Sequence, residues 1–74
     1  MVFDSLVRLL AEQYACDPEE VEMTSSLDTL NLTDMDRSDM ALTMEELFGV
    51  PIPTEALEEF VTVEDVVGYI EDRL

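Results

Sequence analysis

The sequence has no histidine, no lysine, no tryptophan and only one cysteine, Cys16, among its 74 residues. Serine–histidine and cysteine–histidine catalytic centres are excluded, because both require an imidazole base. A zinc site lacks ligands, since zinc in proteins is held mainly by cysteine and histidine. One cysteine cannot form a disulfide within the chain, so nothing indicates an oxidising compartment. We therefore predict that the protein is not an enzyme and has no metal site.

Basic residues are also scarce: three arginines stand against 19 aspartates and glutamates, which gives a formal net charge of −16. Such a surface repels the phosphates of nucleic acids and of anionic lipids, and it attracts basic protein surfaces. The sequence shows no signal peptide and no apolar run of about 18 residues that would span a bilayer. We expect a monomeric cytoplasmic protein that binds neither nucleic acid nor membranes.

Hydrophobic residues make up 47% of the chain and recur at helical spacing, which predicts one folded all-α domain over residues 1–74. Amphipathic helices are expected over residues 1–14, over a central segment that ends at Phe48, and after Thr62. A helix of one or two turns is expected over residues 54–59, and a long loop over residues 23–32. These elements predict a bundle of three main helices and one short helix.

The central helix has clear boundary signals. Thr33 can cap its amino end, and Asp36, three residues later, can complete a capping box. Gly49 stands where a left-handed residue ends a helix, and Pro51 cannot continue the helix. We expect one apolar face, which packs in the core. Its members are Met35, Met40, Ala41, Leu42, Met44, Leu47 and Phe48.

Three segments, taken in order, resemble the acyl carrier protein family. Residues 25–27 (SSL) are followed by Leu30 ahead of the central helix. Residues 44–53 (MEELFGVPIP) are close to the family's LEEEFGIEIP, and residues 60–70 (FVTVEDVVGYI) are close to its ITTVQDAVDYI. The resemblance covers nearly the whole chain. It implies a four-helix acyl-carrier-type bundle that acts in fatty acid or polyketide metabolism.

The family's defining motif is Asp-Ser-Leu at the start of the central helix, where the serine carries 4′-phosphopantetheine. Counted back from Phe48 without gaps, this motif falls on Thr33, Asp34 and Met35, so an aspartate stands in place of the attachment serine. The resemblance therefore implies a homologue that carries no prosthetic group at the usual position. The alternative is a working carrier that is modified on Ser38, one turn further along the helix, or on Thr33.

The resemblance also implies how partners bind, because acyl carrier proteins dock on basic patches of their enzymes through acidic residues of the central helix. The corresponding residues here are Asp36, Asp39, Glu45 and Glu46. Arg37 departs from the family's acidic or neutral pattern, and we expect it to alter which partner is accepted. Met40 lies among these residues and is included in the expected contacts.

A calcium site is a further reading of the same segment. Asp34, Asp36 and Ser38 match the first alternate positions of a calcium loop, but Asp39 occupies the sixth position, where the loop needs glycine. Because these residues also have helical periodicity, we expect a helix there and no EF-hand. A third interpretation, an acidic cation-buffering or structural protein, would be supported by tight stoichiometric calcium binding.

Overall fold

The computed structural model describes residues 1–74 and contains helices and turns, with one isolated β-bridge between Ser26 and Thr62. The elements are α1 (Val2–Tyr14), a 3₁₀ turn (Leu27–Leu30), α2 (Asp34–Phe48), α3 (Thr54–Glu59) and α4 (Val63–Glu71). The prediction of an all-α bundle with three main helices, one short helix and a long first loop is confirmed. None of the helices is long and apolar enough to cross a membrane.

Reciprocal caps fix where α2 and α4 begin. The backbone amide of Asp36 donates to Thr33 Oγ1 at 3.0 Å, and the amide of Thr33 donates to Asp36 Oδ2 at 3.1 Å. Thr62 and Asp65 form the same pair at the start of α4. Gly49 ends α2 with a φ of 69°, a left-handed conformation that glycine adopts without a steric penalty. The cap and the glycine stop predicted for the central helix are confirmed.

One hydrophobic core joins the helices to the long first loop. Leu27 is fully buried, and Leu30 and Leu32 pack partly against the same core. Backbone hydrogen bonds of 2.9 Å from Val63 to Ser25 and from Glu64 to Met23 tie the loop to the start of α4. The buried side chains of α1 and α4 are Val2, Leu6, Leu10, Val63, Val66, Val67 and Ile70.

The apolar face predicted for α2 is only partly buried. Met35, Leu42 and Leu47 keep 81%, 53% and 60% of their surface exposed, so their predicted placement in the core is wrong. The reason is geometric, because successive residues of an α-helix are about 100° apart around its axis. Seven apolar residues in this helix therefore cannot all lie on the side that the bundle covers. The residues of α2 that are buried in the core are Met40, Ala41 and Met44, and Phe48 packs partly buried against it.

Asp65 allows the α4 cap to be tested. Its Oδ2 accepts the backbone amides of Val61 at 2.8 Å and Thr62 at 3.0 Å, and these hydrogen bonds lower the pKa of the carboxyl below its ordinary value of 3.8. The folded state thus favours the charged carboxylate. The resulting stabilisation is present above pH 3.8 and is lost as the pH falls through the lowered pKa.

Replacing Asp65 by asparagine is expected to reduce the free energy of unfolding by about 1 kcal/mol at neutral pH, because the cap is weakened. The variant should also lose less stability than the native chain below pH 3.8. Urea unfolding at several pH values measures both effects. Glu64→Gln is the control, since Glu64 is exposed in the same helical turn and caps nothing. Equal losses in the two variants would contradict the capping role.

Candidate docking surface and attachment position

Asp34 is the first residue of α2, and it is exposed. The N-cap residue Thr33 precedes it directly, so Asp34 lies in the first helical turn, where the helix dipole stabilises a negative charge. Asp36 adds a second carboxylate to the same turn. Asp34, the position that aligns with the serine of the Asp-Ser-Leu motif, therefore lies at the exposed start of a helix.

The two hydroxyls near Asp34 have different surroundings. Thr33 Oγ1 accepts the amide of Asp36 at 3.0 Å, so it is engaged as the cap. Ser38 is exposed one turn further along α2 and lines the same cleft as Asp34. The Ser38 hydroxyl, unlike that of Thr33, takes no part in a capping hydrogen bond.

A cleft of about 340 Å³ separates the first turns of α2 from α3. Leu57 is the one hydrophobic residue that lines it. A cleft with so little apolar surface suits polar groups better than an alkyl chain, because ligand pockets for apolar groups are mostly apolar themselves. Its full lining is Asp34, Arg37, Ser38, Thr54, Leu57 and Glu58.

Arg37 is held within the fold. Its side chain is only 20% exposed, and its guanidinium forms an ion pair with the carboxylate of Asp28 in the 3₁₀ turn. Arg37 Nε is buried and has no hydrogen-bond partner. The residue therefore links the first loop to α2, and a direct contact with a partner, as expected from the sequence, would require this ion pair to open.

The outward side of α2 carries four exposed residues, Met35, Asp39, Leu42 and Glu46, which we call the α2 stripe. Their spacing of four, three and four residues places them along one side of the helix. Apolar and acidic side chains therefore alternate along this stripe. Exposed apolar side chains that are rimmed by polar groups are typical of protein–protein contact surfaces.

The other residues predicted to contact partners are engaged within the fold. Asp36 completes the cap of α2, and Glu45 Oε1 accepts the backbone amide of Ile52 at 2.8 Å. Met40 is fully buried, so the prediction that it contacts a partner is wrong. Its position turns it toward the core, on the opposite side of α2 from the stripe. Asp39 and Glu46 are the predicted acidic residues whose carboxylates face solvent.

Sequence reasoning missed the two apolar members of the α2 stripe as surface residues. The apolar pattern predicts that Met35 and Leu42 lie in the core with the other apolar residues of this helix, yet both are exposed. Their separation of seven residues was the available signal, since it places them on one side of a helix. Asp39 and Glu46, each four residues after one of them, fall on the same side and were the signal that this side faces solvent.

The calcium loop is ruled out by the conformation of its residues. Asp34–Phe48 is a continuous helix, whereas a calcium loop needs a sharp turn at its sixth position. No group of three histidine, cysteine, aspartate or glutamate side chains is arranged to hold a metal ion.

Known proteins of similar sequence point to one family. The family model described as "Phosphopantetheine attachment site" matches residues 4–70. The acyl carrier protein of Coprothermobacter proteolyticus is 38% identical over 74 residues, which cover 99% of this chain and 90% of the relative. The acyl carrier protein of Campylobacter curvus is 37% identical over 71 residues, covering 95% of this chain and 92% of the relative. The acyl carrier protein of Thermosynechococcus vestitus is 32% identical over 74 residues, which cover 99% of this chain and 91% of the relative.

Proposed function

Because the chain belongs to the acyl carrier protein family, we propose that it docks on carrier-dependent enzymes without carrying 4′-phosphopantetheine at the usual position. It acts in the cytoplasm as a binding or regulatory protein and not as an enzyme. One observation carries this proposal. Asp34, the exposed first residue of α2, stands where the family's attachment serine is expected.

The chemistry of attachment does not suit Asp34. A serine hydroxyl can attack the pyrophosphate of coenzyme A and leave a stable phosphodiester. The carboxylate of Asp34 could form only a mixed anhydride, which water hydrolyses. The side chain at this position therefore does not fit covalent attachment, although it retains a negative charge at the start of α2, where the helix dipole favours it.

The α2 stripe supports the docking half of the proposal. Asp39 and Glu46 present carboxylates to solvent, and Met35 and Leu42 add exposed apolar surface between and beside them. A partner that fits this stripe offers lysine or arginine side chains next to an apolar depression. The net charge of −16 would speed the encounter with such a surface over long range.

A carrier modified on Ser38 is the second candidate function. The Ser38 hydroxyl is exposed and borders the same cleft as Asp34. Thr33 fits this function less well, because its oxygen already accepts the Asp36 amide. A pantetheine adduct mapped to Ser38 would establish the second candidate and contradict the first.

Docking is tested by titrating the unmodified protein against a panel of purified carrier-dependent enzymes of fatty acid synthesis, using calorimetry. At least one enzyme should bind. Its affinity should fall about tenfold or more for a tenfold rise in ionic strength, since salt screens the attraction between exposed charges. An affinity that does not change with ionic strength would contradict docking through the acidic surface. So would the absence of binding to any enzyme of the panel.

A further inference from the structure

Tyr14, the last residue of α1, reaches across to the α2 stripe. Its hydroxyl donates a hydrogen bond to Asp39 Oδ2 at 3.3 Å, between residues that are 25 positions apart in the chain. Burial, together with the negative charges of Asp39 and Asp36, raises the pKa of the Tyr14 phenol above its ordinary value of 10.0. The phenol is therefore a neutral donor at physiological pH.

The ring and the hydroxyl of Tyr14 have separate surroundings. The ring is half-buried and packs against the hydrophobic core, while the hydroxyl lies at the surface beside Asp39. Because the ring is held by packing, the hydroxyl has a fixed position from which to orient the carboxylate. Asp39 is otherwise an exposed side chain on a helix, free to change rotamer.

We propose that Tyr14 is a positioning residue of the docking surface: it holds Asp39 Oδ2 and leaves Oδ1 directed to the basic side chain of a partner. This assignment rests on the proposed docking function. Fixing a carboxylate before binding removes part of the entropy that would otherwise be lost when the partner immobilises it. Tyr14 thus raises affinity without itself contacting the partner.

The variant that tests this role is Tyr14→Phe, which keeps the ring and removes the hydroxyl. Affinity for the enzyme that binds in the calorimetric panel is expected to fall about threefold, as is typical for the loss of one exposed hydrogen bond. Tyr69→Phe is the matched control. Tyr69 lies on α4, where its ring packs edge-on against Phe60 and beneath Arg73, and those contacts need no hydroxyl.

A double-mutant cycle separates positioning from a general structural effect. If Tyr14 acts through Asp39, Tyr14→Phe should have no further effect on affinity in an Asp39→Ala background, which has no side-chain acceptor for the Tyr14 hydroxyl. A threefold loss that persists in that background would overturn the assignment. So would an unchanged affinity of the single variant Tyr14→Phe for an enzyme whose binding to the native chain is shown, by reversing Asp39 and Glu46, to depend on the α2 stripe. If the native chain binds no enzyme of the panel, the docking function itself is contradicted, whatever the role of Tyr14.

The hydrogen bond can also be tested in the free protein. The chain has two tyrosines, so in a Tyr69→Phe background the ultraviolet titration reports Tyr14 alone. Adding Asp39→Asn is expected to lower the pKa of Tyr14 toward its ordinary value of 10.0, because a neighbouring negative charge is removed. An unchanged pKa would show that Tyr14 and Asp39 are not in contact in solution and would overturn the assignment without reference to any partner.

Discussion

Reversing the two exposed carboxylates of the α2 stripe, with Asp39→Lys and Glu46→Lys, is expected to lower the affinity for a carrier-dependent enzyme by about 100-fold or more. Each substitution replaces an attraction to a basic partner group by a repulsion, and like charges brought together at an interface cost several kcal/mol. Both residues are exposed on the outward side of α2, so the helix content seen by circular dichroism should not change. Calorimetric titration measures the affinity.

The matched control changes the net charge by the same amount elsewhere on the molecule. Glu64→Lys with Glu71→Lys alters two exposed carboxylates of α4. If the stripe is the docking surface, this pair should reduce affinity far less than the pair on α2. Equal losses would mean that only the overall charge matters, and they would contradict a defined docking surface.

The choice of Asp39 and Glu46 for this experiment follows from the structure. Asp36 is also acidic and close by, but it completes the cap of α2, so reversing its charge would disturb the helix start. Glu45 holds the amide of Ile52 and supports the segment that follows Gly49. A loss of binding caused by either residue could therefore come from altered structure and would not identify a contact.

Asp34→Ser is expected to gain one 4′-phosphopantetheine when it is incubated with coenzyme A and a broad-specificity phosphopantetheinyl transferase. Serine restores the hydroxyl at the exposed first position of α2, and Thr33 still caps the helix. Intact-mass spectrometry measures the gain as an all-or-none change. Peptide fragmentation should then place the adduct on the introduced serine.

The control for Asp34→Ser is the same variant with Ser38 also changed to alanine. Loading should survive in this double variant, because the introduced serine and not Ser38 accepts the group. Loading that disappears with Ser38 would show that the register of the motif is wrong. No loading of Asp34→Ser would mean that Thr33, Met35 and Arg37 no longer form a surface that the transferase accepts.

The boundaries of the helices could be predicted because they depend on neighbouring residues. Thr33 with Asp36 and Thr62 with Asp65 are reciprocal caps within three residues of each other, and Gly49 is a left-handed stop. Such local signals act whatever the rest of the fold does. The position of Asp34 at the start of α2 follows from the same signals.

The orientation of α2 could not be predicted in this way. Apolar residues occur on several sides of the helix. Their spacing alone therefore does not show that Met35 and Leu42 are exposed while Met40 and Met44 are buried. Which side is buried depends on where the other helices pack, and that is a property of the whole bundle. The prediction therefore placed three surface residues, Met35, Leu42 and Leu47, in the core, and the expected partner contacts included a buried residue, Met40.

Contacts between residues that are far apart in the chain could not be predicted from the sequence either. Arg37 pairs with Asp28, nine positions away, and Tyr14 donates to Asp39, 25 positions away. No spacing rule connects such pairs, because the intervening chain can fold back in many ways. These contacts nevertheless decide the roles of both charged residues: Arg37 is drawn into the fold, and Asp39 is held at the surface.

The most direct test of the central claim is the intact mass of the native chain after incubation with coenzyme A and the broad-specificity transferase. A carrier that contains the attachment serine is loaded in parallel to show that the enzyme is active. We predict no change in the mass of the native chain while the control gains one phosphopantetheine. A gain of one phosphopantetheine by the native chain, on Ser38, Thr33 or any other hydroxyl, would contradict a non-loading function and identify the protein as a working carrier.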